Sequence, residues 1–353
     1  SSAAEMLPPV EPPDARFIIQ LFVVPAVIVV AVVLLWVAIT WLASPGRQDA
    51  EAIVRGLRST SQGRFQQAEE LASMLRMEQS YPELKKDPAL AAGLSELLLE
   101  EVDRAAAASD EDAESSIRMR MFLAASLGEM HVVEAVDALL ETIRRDPAGH
   151  VRRAAAAGVA VLAGWRGEQE PPQALTHPQL TATLRQMAES ESSLDRSAAA
   201  FTLGVLTSGP DPEPERIELL AELAEDFYFD ARYNAALGLA RVGDHRAAPV
   251  LAEMLDLEQI EASVASEQAV NPDLKGPAPP EQVVRRLQAE KRDKILKNAL
   301  IGVDRLLQKV SAADLPQVEA ALAQLVEAAS TVEQPAPIPE SLQKAIQTMA
   351  ERV

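Results

Sequence analysis

The reading of the fold turns on Asp230-Ala231-Arg232-Tyr233-Asn234-Ala235-Ala236-Leu237-Gly238-Leu239-Ala240-Arg241-Val242-Gly243-Asp244-His245-Arg246-Ala247-Ala248-Pro249-Val250-Leu251-Ala252-Glu253-Met254-Leu255. Its first half places Ala235, Ala236, Gly238 and Leu239 on one stripe of a helix. Groups that small let a neighbouring helix approach to the lower end of the usual spacing of about 8–10 Å. Val242-Gly243-Asp244 then predicts a stop, with glycine just past the helix end and an aspartate placed to cap the next helix. One unit is therefore a helical hairpin.

The same core recurs along the chain. Met119-Arg120-Met121-Phe122-Leu123-Ala124-Ala125-Ser126-Leu127-Gly128 aligns with Val151-Arg152-Arg153-Ala154-Ala155-Ala156-Ala157-Gly158-Val159-Ala160, with Asp195-Arg196-Ser197-Ala198-Ala199-Ala200-Phe201-Thr202-Leu203-Gly204 and with Ala231 to Ala240. The shared arginines fall 32, 44 and 36 residues apart, the period of a helix pair plus its turns. Unrelated amphipathic helices in a bundle would not repeat the same turn chemistry. These residues resemble the short HEAT-like repeat first associated with phycobilisome lyases. The resemblance covers residues 115–256 well and 297–330 loosely. It implies an α-solenoid in which the arginine opens each second helix, the paired alanines allow close packing and the Gly-Asp turn leads into the next unit.

Composition agrees with an all-α chain. Aromatics make up 4% of the 353 residues, and the net charge is −20. Residues 1 to 46 hold only Glu5, Glu11, Asp14 and Arg16, so the remainder carries 32 basic against 50 acidic groups. A surface that acidic repels phosphate backbones, which argues against nucleic acid as a partner. The chain has no cysteine, which excludes disulfides, Fe–S clusters, thiolate zinc sites and a cysteine nucleophile.

Working toward the N-terminus, Phe17 to Leu42 is apolar apart from Gln20 and Thr40. As a helix it reaches about 39 Å, enough to cross a hydrocarbon core of about 30 Å with some tilt. Trp36 and Trp41 suit the headgroup region, and Pro45-Gly46 stops the helix ahead of Arg47. A signal peptide would want a basic leader and a shorter apolar run, whereas Leu7-Pro8-Pro9-Val10-Glu11-Pro12-Pro13-Asp14 is acidic and rich in proline. Arg47, Arg55, Arg58 and Arg64 outnumber Arg16 across the span, which favours the large domain in the cytoplasm.

The expected organisation is an acidic Pro-rich tail over 1–16, a transmembrane helix over 17–43 and a helical hairpin or divergent capping repeat over 47–114. HEAT-like repeats follow over 115–256, then an irregular insertion over 257–280, where Asn271-Pro272 and Lys275 to Pro280 break any continuous helix at its end. A C-terminal helical pair over 281–330, a Pro-rich linker over 331–339 and a terminal helix over 340–353 complete the chain.

Chemistry-bearing motifs are absent. His131, His150, His177 and His245 make no metal-binding spacing, and no nucleophile elbow or phosphate-cradling glycine loop is present. No cofactor, metal or catalytic residue is expected. Two surfaces stand out as candidates for binding partners. Phe227, Tyr228, Phe229 and Tyr233 concentrate aromatics at one inter-helix junction, either as core or as exposed anchors. Arg285, Arg286, Lys291, Arg292 and Lys294, with Lys297, make a locally basic helix in an acidic protein, either a solvated face or a site for an acidic partner or anionic lipid. The expected function is a membrane-anchored scaffold for protein–protein interaction, such as an accessory subunit of a larger membrane complex. The alternative that the resemblance implies is a lyase-like or maturation factor acting on a cofactor-bearing partner.

Overall fold

The computed structural model describes residues 27, 29–36, 50–59, 63–77, 81, 83–107, 114–270, 280–331 and 337–353, without the side chains of 266–270 and 330–331. It divides into two compact units, Ser1–Asp49 and Ala50–Val353. In the first, residues 29–36 are helical, and their side chains from Val29 to Trp36 are exposed. No helix among the described residues is long and apolar enough to cross a membrane. Most of the span expected over 17–43, including Trp41, lies outside the described residues, as does Arg47.

The second unit is all-α, with no strand among the described residues. Helix α1 (Ala50–Leu57) pairs with α2 (Gly63–Arg76), α3 (Pro88–Ala107) with α4 (Glu114–Glu129), and α5 (Ala135–Arg145) with α6 (Gly149–Gly167). Next, α7 (Leu180–Ala188) pairs with α8 (Ser193–Leu206) and α9 (Pro214–Leu223) with α10 (Phe229–Val242). The remaining helices are α11 (Ala248–Glu253), α12 (Leu257–Val270), α13 (Glu281–Leu307), α14 (Pro316–Thr331) and α15 (Glu340–Ala350). Each hairpin touches its neighbours in order, so the first helices α1, α3, α5, α7 and α9 form one layer and α2, α4, α6, α8, α10 and α13 a second. One continuous apolar core runs between them, from Ile53 to Met349. Nearest-neighbour stacking of this kind is the physics of a repeat array.

Small residues set the spacing of the second layer. A Cβ on Gly128, eight residues after Arg120, would lie 2.4 Å from the Cα of Gly158, six residues after Arg152. The same offsets join Gly204 to Gly238, where a Cβ on Gly238 would lie 2.8 Å from Gly204 Cα. At the junction between these two, the six-offset position is Thr202, whose hydroxyl donates to Ala156 O at 3.1 Å. Backbones therefore meet directly at two junctions and through a hydroxyl at the third.

The repeated arginines tie consecutive hairpins together. Arg120, fully buried, donates through Nε to Asp146 Oδ2 at 2.7 Å in the turn of the next hairpin. Arg152 reaches Asp195 at 2.5 Å, Arg196 reaches Asp226 at 2.6 Å and Arg232 reaches Glu253 at 2.5 Å. Arg152, Arg196 and Arg232 also donate to backbone carbonyls in the turn that precedes their own helix: Asp146 and Pro147, Ser190 and Glu191, and Asp226 respectively. A guanidinium can serve both roles because its planar fork carries five donors.

Three parts of the expected organisation change. The segment 47–114 holds three helices: α1 and α2 form a hairpin, and α3 belongs with α4, its Leu90, Leu94 and Leu98 buried in the shared core. The segment 257–280 is helical over its first half. Asp256 caps α12, its Oδ1 accepting from Glu258 N and Gln259 N at 3.0 and 3.2 Å, while Ile260 and Val264 enter the core. Finally, α13 and α14 are not each other's main partners. Helix α13 packs on α10 and α12, whereas α14 joins α11 and α15.

Candidate functional site

The two surfaces singled out in the sequence meet where α10 begins. Asp226 organises the turn: its Oδ1 accepts from Tyr228 N at 2.8 Å, and its carboxylate holds Arg196 through Nε at 2.6 Å and Nη2 at 3.0 Å. That turn directs Tyr228, Phe229 and Tyr233 inward. All three are buried, and Phe229 stacks between the other two at centroid distances of 5.4 Å. They are core, not exposed anchors, since packing edge to face inside the array removes their apolar area from water. Burial pushes the Tyr233 hydroxyl pKa well above its ordinary value, with Glu253 adding to the effect. Phe227 alone stays out, 82% exposed, with the Arg196 guanidinium carbon 4.6 Å from its ring centroid.

Lys291 of α13 joins the two stretches. Its Nζ lies 3.0 Å from Asp230 Oδ2 and 4.7 Å from the Phe229 centroid. The other basic candidates divide. Arg292 is buried and donates through Nε and Nη2 to Asp293 Oδ1. Arg285 pairs with Glu281, and Arg286 with Glu290 at 2.8 Å, a contact that raises the Arg286 pKa. Lys294 is exposed and, among the described residues, has no carboxylate within ion-pair reach. A cleft of about 360 Å³ opens between α12 and α13, lined by Glu261, Val264, Ala265, Arg285, Gln288, Ala289 and Arg292.

The sequence reading missed how charge is sorted between the layers. Helices α2, α4, α6, α8, α10 and α13 carry 17 basic and 10 acidic residues, whereas α1, α3, α5, α7 and α9 carry 6 basic and 10 acidic. The second-helix layer also exposes Val161, Phe201, Leu287 and Ile301. The periodic signal that could have revealed this face is the row Val283, Leu287, Glu290, Lys294, Lys297, Ile301, which advances by four and three residues along α13.

The histidines serve locally. His131 stacks on Trp165 at 4.4 Å, and His177 Nε2 meets Asp137 at 2.8 Å. Among the described residues no group of three or more His, Asp or Glu side chains is arranged to hold a metal ion.

No curated protein sequence matches the chain. Among solved structures, YibA from E. coli is similar at 17% identity, covering 79% of this chain and 93% of its own, with a TM-score of 0.28. Human deoxyhypusine hydroxylase in complex with glycerol is similar at 18% identity, covering 82% and 99%, with a TM-score of 0.21. The family model described as HEAT repeats matches residues 180–269, the stretch from α7 to α12, so this part of the array is similar to HEAT repeats.

Proposed function

We propose that this chain is a membrane-tethered HEAT-repeat scaffold that binds other proteins on the layer formed by its second helices, acting as an accessory subunit of a membrane complex. The observation that carries the reading is the sorting of charge. In a protein of net charge −20, one layer combines a basic excess with exposed Val161, Phe201, Leu287 and Ile301. Apolar residues ringed by complementary charge are how stable interfaces are built. The apolar run from Phe17 to Leu42 supports the tether, and the arginines that follow it favour a cytoplasmic array. Tethering raises the effective concentration of membrane partners without adding contacts.

The test is mild-detergent purification of the full chain beside Val161→Glu and Phe201→Glu variants, followed by mass spectrometry. Both side chains are about half exposed, so the variants are expected to fold and to lose specific companions. An identical set of companions, or release of the chain from membranes by salt alone, would overturn the proposal.

A further inference from the structure

Helix α13 carries an outward seam that no described residue of the second unit covers. Val283, Leu287 and Ile301 are 44%, 53% and 58% exposed, and they share one stripe with Glu290, Lys294 and Lys297. The steps along it are four, three, four, three and four residues, the pattern that lets two helices pack at a shallow angle with side chains interleaved. From residue 283 to 305 the stripe is about 33 Å long at ~1.5 Å per residue. That length seats six helical turns of a partner.

Charge defines the partner. Most described basic side chains sit against a carboxylate, from Arg55 to Arg352. Eight described basic residues have no carboxylate within ion-pair reach among the described residues; Arg76, Lys86 and Arg166 lie elsewhere, and Lys294, Lys297, Arg305, Lys309 and Arg241 lie along or beside this seam. Arg241 is lowered in pKa first by burial and then by the nearby charge of Arg305, so two guanidiniums crowd each other there. Lys309 is close by, since a Cβ on Gly243 would lie 2.7 Å from its side chain. In an array with 18 more acids than bases, cations left facing one another are a local cost that an incoming anion relieves. A membrane surface fits less well, because an interfacial helix needs a broad apolar face and this stripe offers three apolar residues beside Lys294, Lys297 and Arg305.

We infer that the α13 seam docks an amphipathic helix of a partner protein, one that sets apolar residues against Val283, Leu287 and Ile301 and carboxylates against Lys294, Lys297 and Arg305. The inference rests on the scaffold reading and names the chemistry of one partner.

The probe is a synthetic helical peptide with leucines at four-three spacing flanked by glutamates, labelled for fluorescence anisotropy. Its controls are a scrambled peptide of equal charge and a peptide with lysine in place of glutamate. The full chain is held in neutral detergent. The glutamate peptide is expected to bind at least about tenfold tighter than the scrambled one. The Lys294→Glu/Lys297→Glu/Arg305→Glu variant is expected to lose that margin while unfolding at a temperature no lower than the parent's. Equal binding of the scrambled peptide, or binding indifferent to the triple reversal, overturns the inference. Competition by phosphatidylserine in mixed micelles with the same detergent, if as effective as unlabelled peptide, also overturns it, assigning the seam to lipid. Should the peptide fail while Phe201→Glu still strips companions from the full chain, the seam is refuted and the scaffold reading stands.

Discussion

Arg120 and Arg305 show two opposite uses of one side chain. Arg120 is sealed between α4 and the α5–α6 turn, its fork spent on Asp146 and Ser116. Arg305 lies at the open end of α13 with Arg241 for company. The first makes the array rigid: removing it strands a buried carboxylate. The second contributes little to the folded chain and leaves its donors available to something else. Where a repeat array spends its charges inward it is building itself, and where it leaves them facing out it is prepared for contact.

The strongest way to break this contrast is Arg120→Met. It leaves Asp146 buried without its partner and is expected to lower stability by about 3–5 kcal/mol, measured by chemical denaturation, with part recovered when Asp146→Asn is added. A loss under about 1 kcal/mol would mean that the ladder is decorative. The second test compares one substitution at two positions of α6. Gly158→Ala sets a Cβ 2.9 Å from Ala124 O, so backbone must move, and a loss of about 1–3 kcal/mol is expected. Gly164 has open space around its Cβ position, and Gly164→Ala should raise stability by roughly 0.5–1 kcal/mol by restricting the unfolded chain.

Next in size, Lys294→Glu with Lys297→Glu is expected to shift the unfolding midpoint by no more than the equivalent of about 0.5 kcal/mol, as exposed side chains without partners should. A larger loss would show that these lysines belong with Arg120 after all. The smallest effect is in acid. Arg246, donating to Asp244 and Glu218, holds both carboxyls below their ordinary pKa values. Their contribution is present above the unfolded carboxylate range and fades as pH falls through the depressed folded values. Arg246→Gln should therefore narrow its deficit against the parent as a titration proceeds below about pH 4, the unperturbed carboxylate region.

Much of this architecture could be read from the chain. The arginine period and the Gly243-Asp244 stop named the hairpins, and in the structure Gly243 takes φ +80° while Asp244 accepts from Arg246 N. The helix over 257–270 is hard to read from sequence because Asn271-Pro272 and the prolines up to Pro280 break the far end of the segment, while its cap, Asp256, lies just ahead of it. The aromatic junction misled for another reason: a cluster in sequence does not say which side of a turn it faces, and Asp226 turns three of its four rings inward. Composition could not show the sorting of charge between layers, because it depends on which helices lie side by side.

The glycine contacts have a consequence for how such a chain can change length. Gly128 fits a glycine opposite it, and Gly238 offers one, so excising the two hairpins α5 to α8 would bring complementary surfaces together. Excising α5 and α6 alone would press Gly128 against the branched side chain of Thr202. The joints of this array are therefore not interchangeable, and which hairpins are lost together decides whether the remaining surfaces can close.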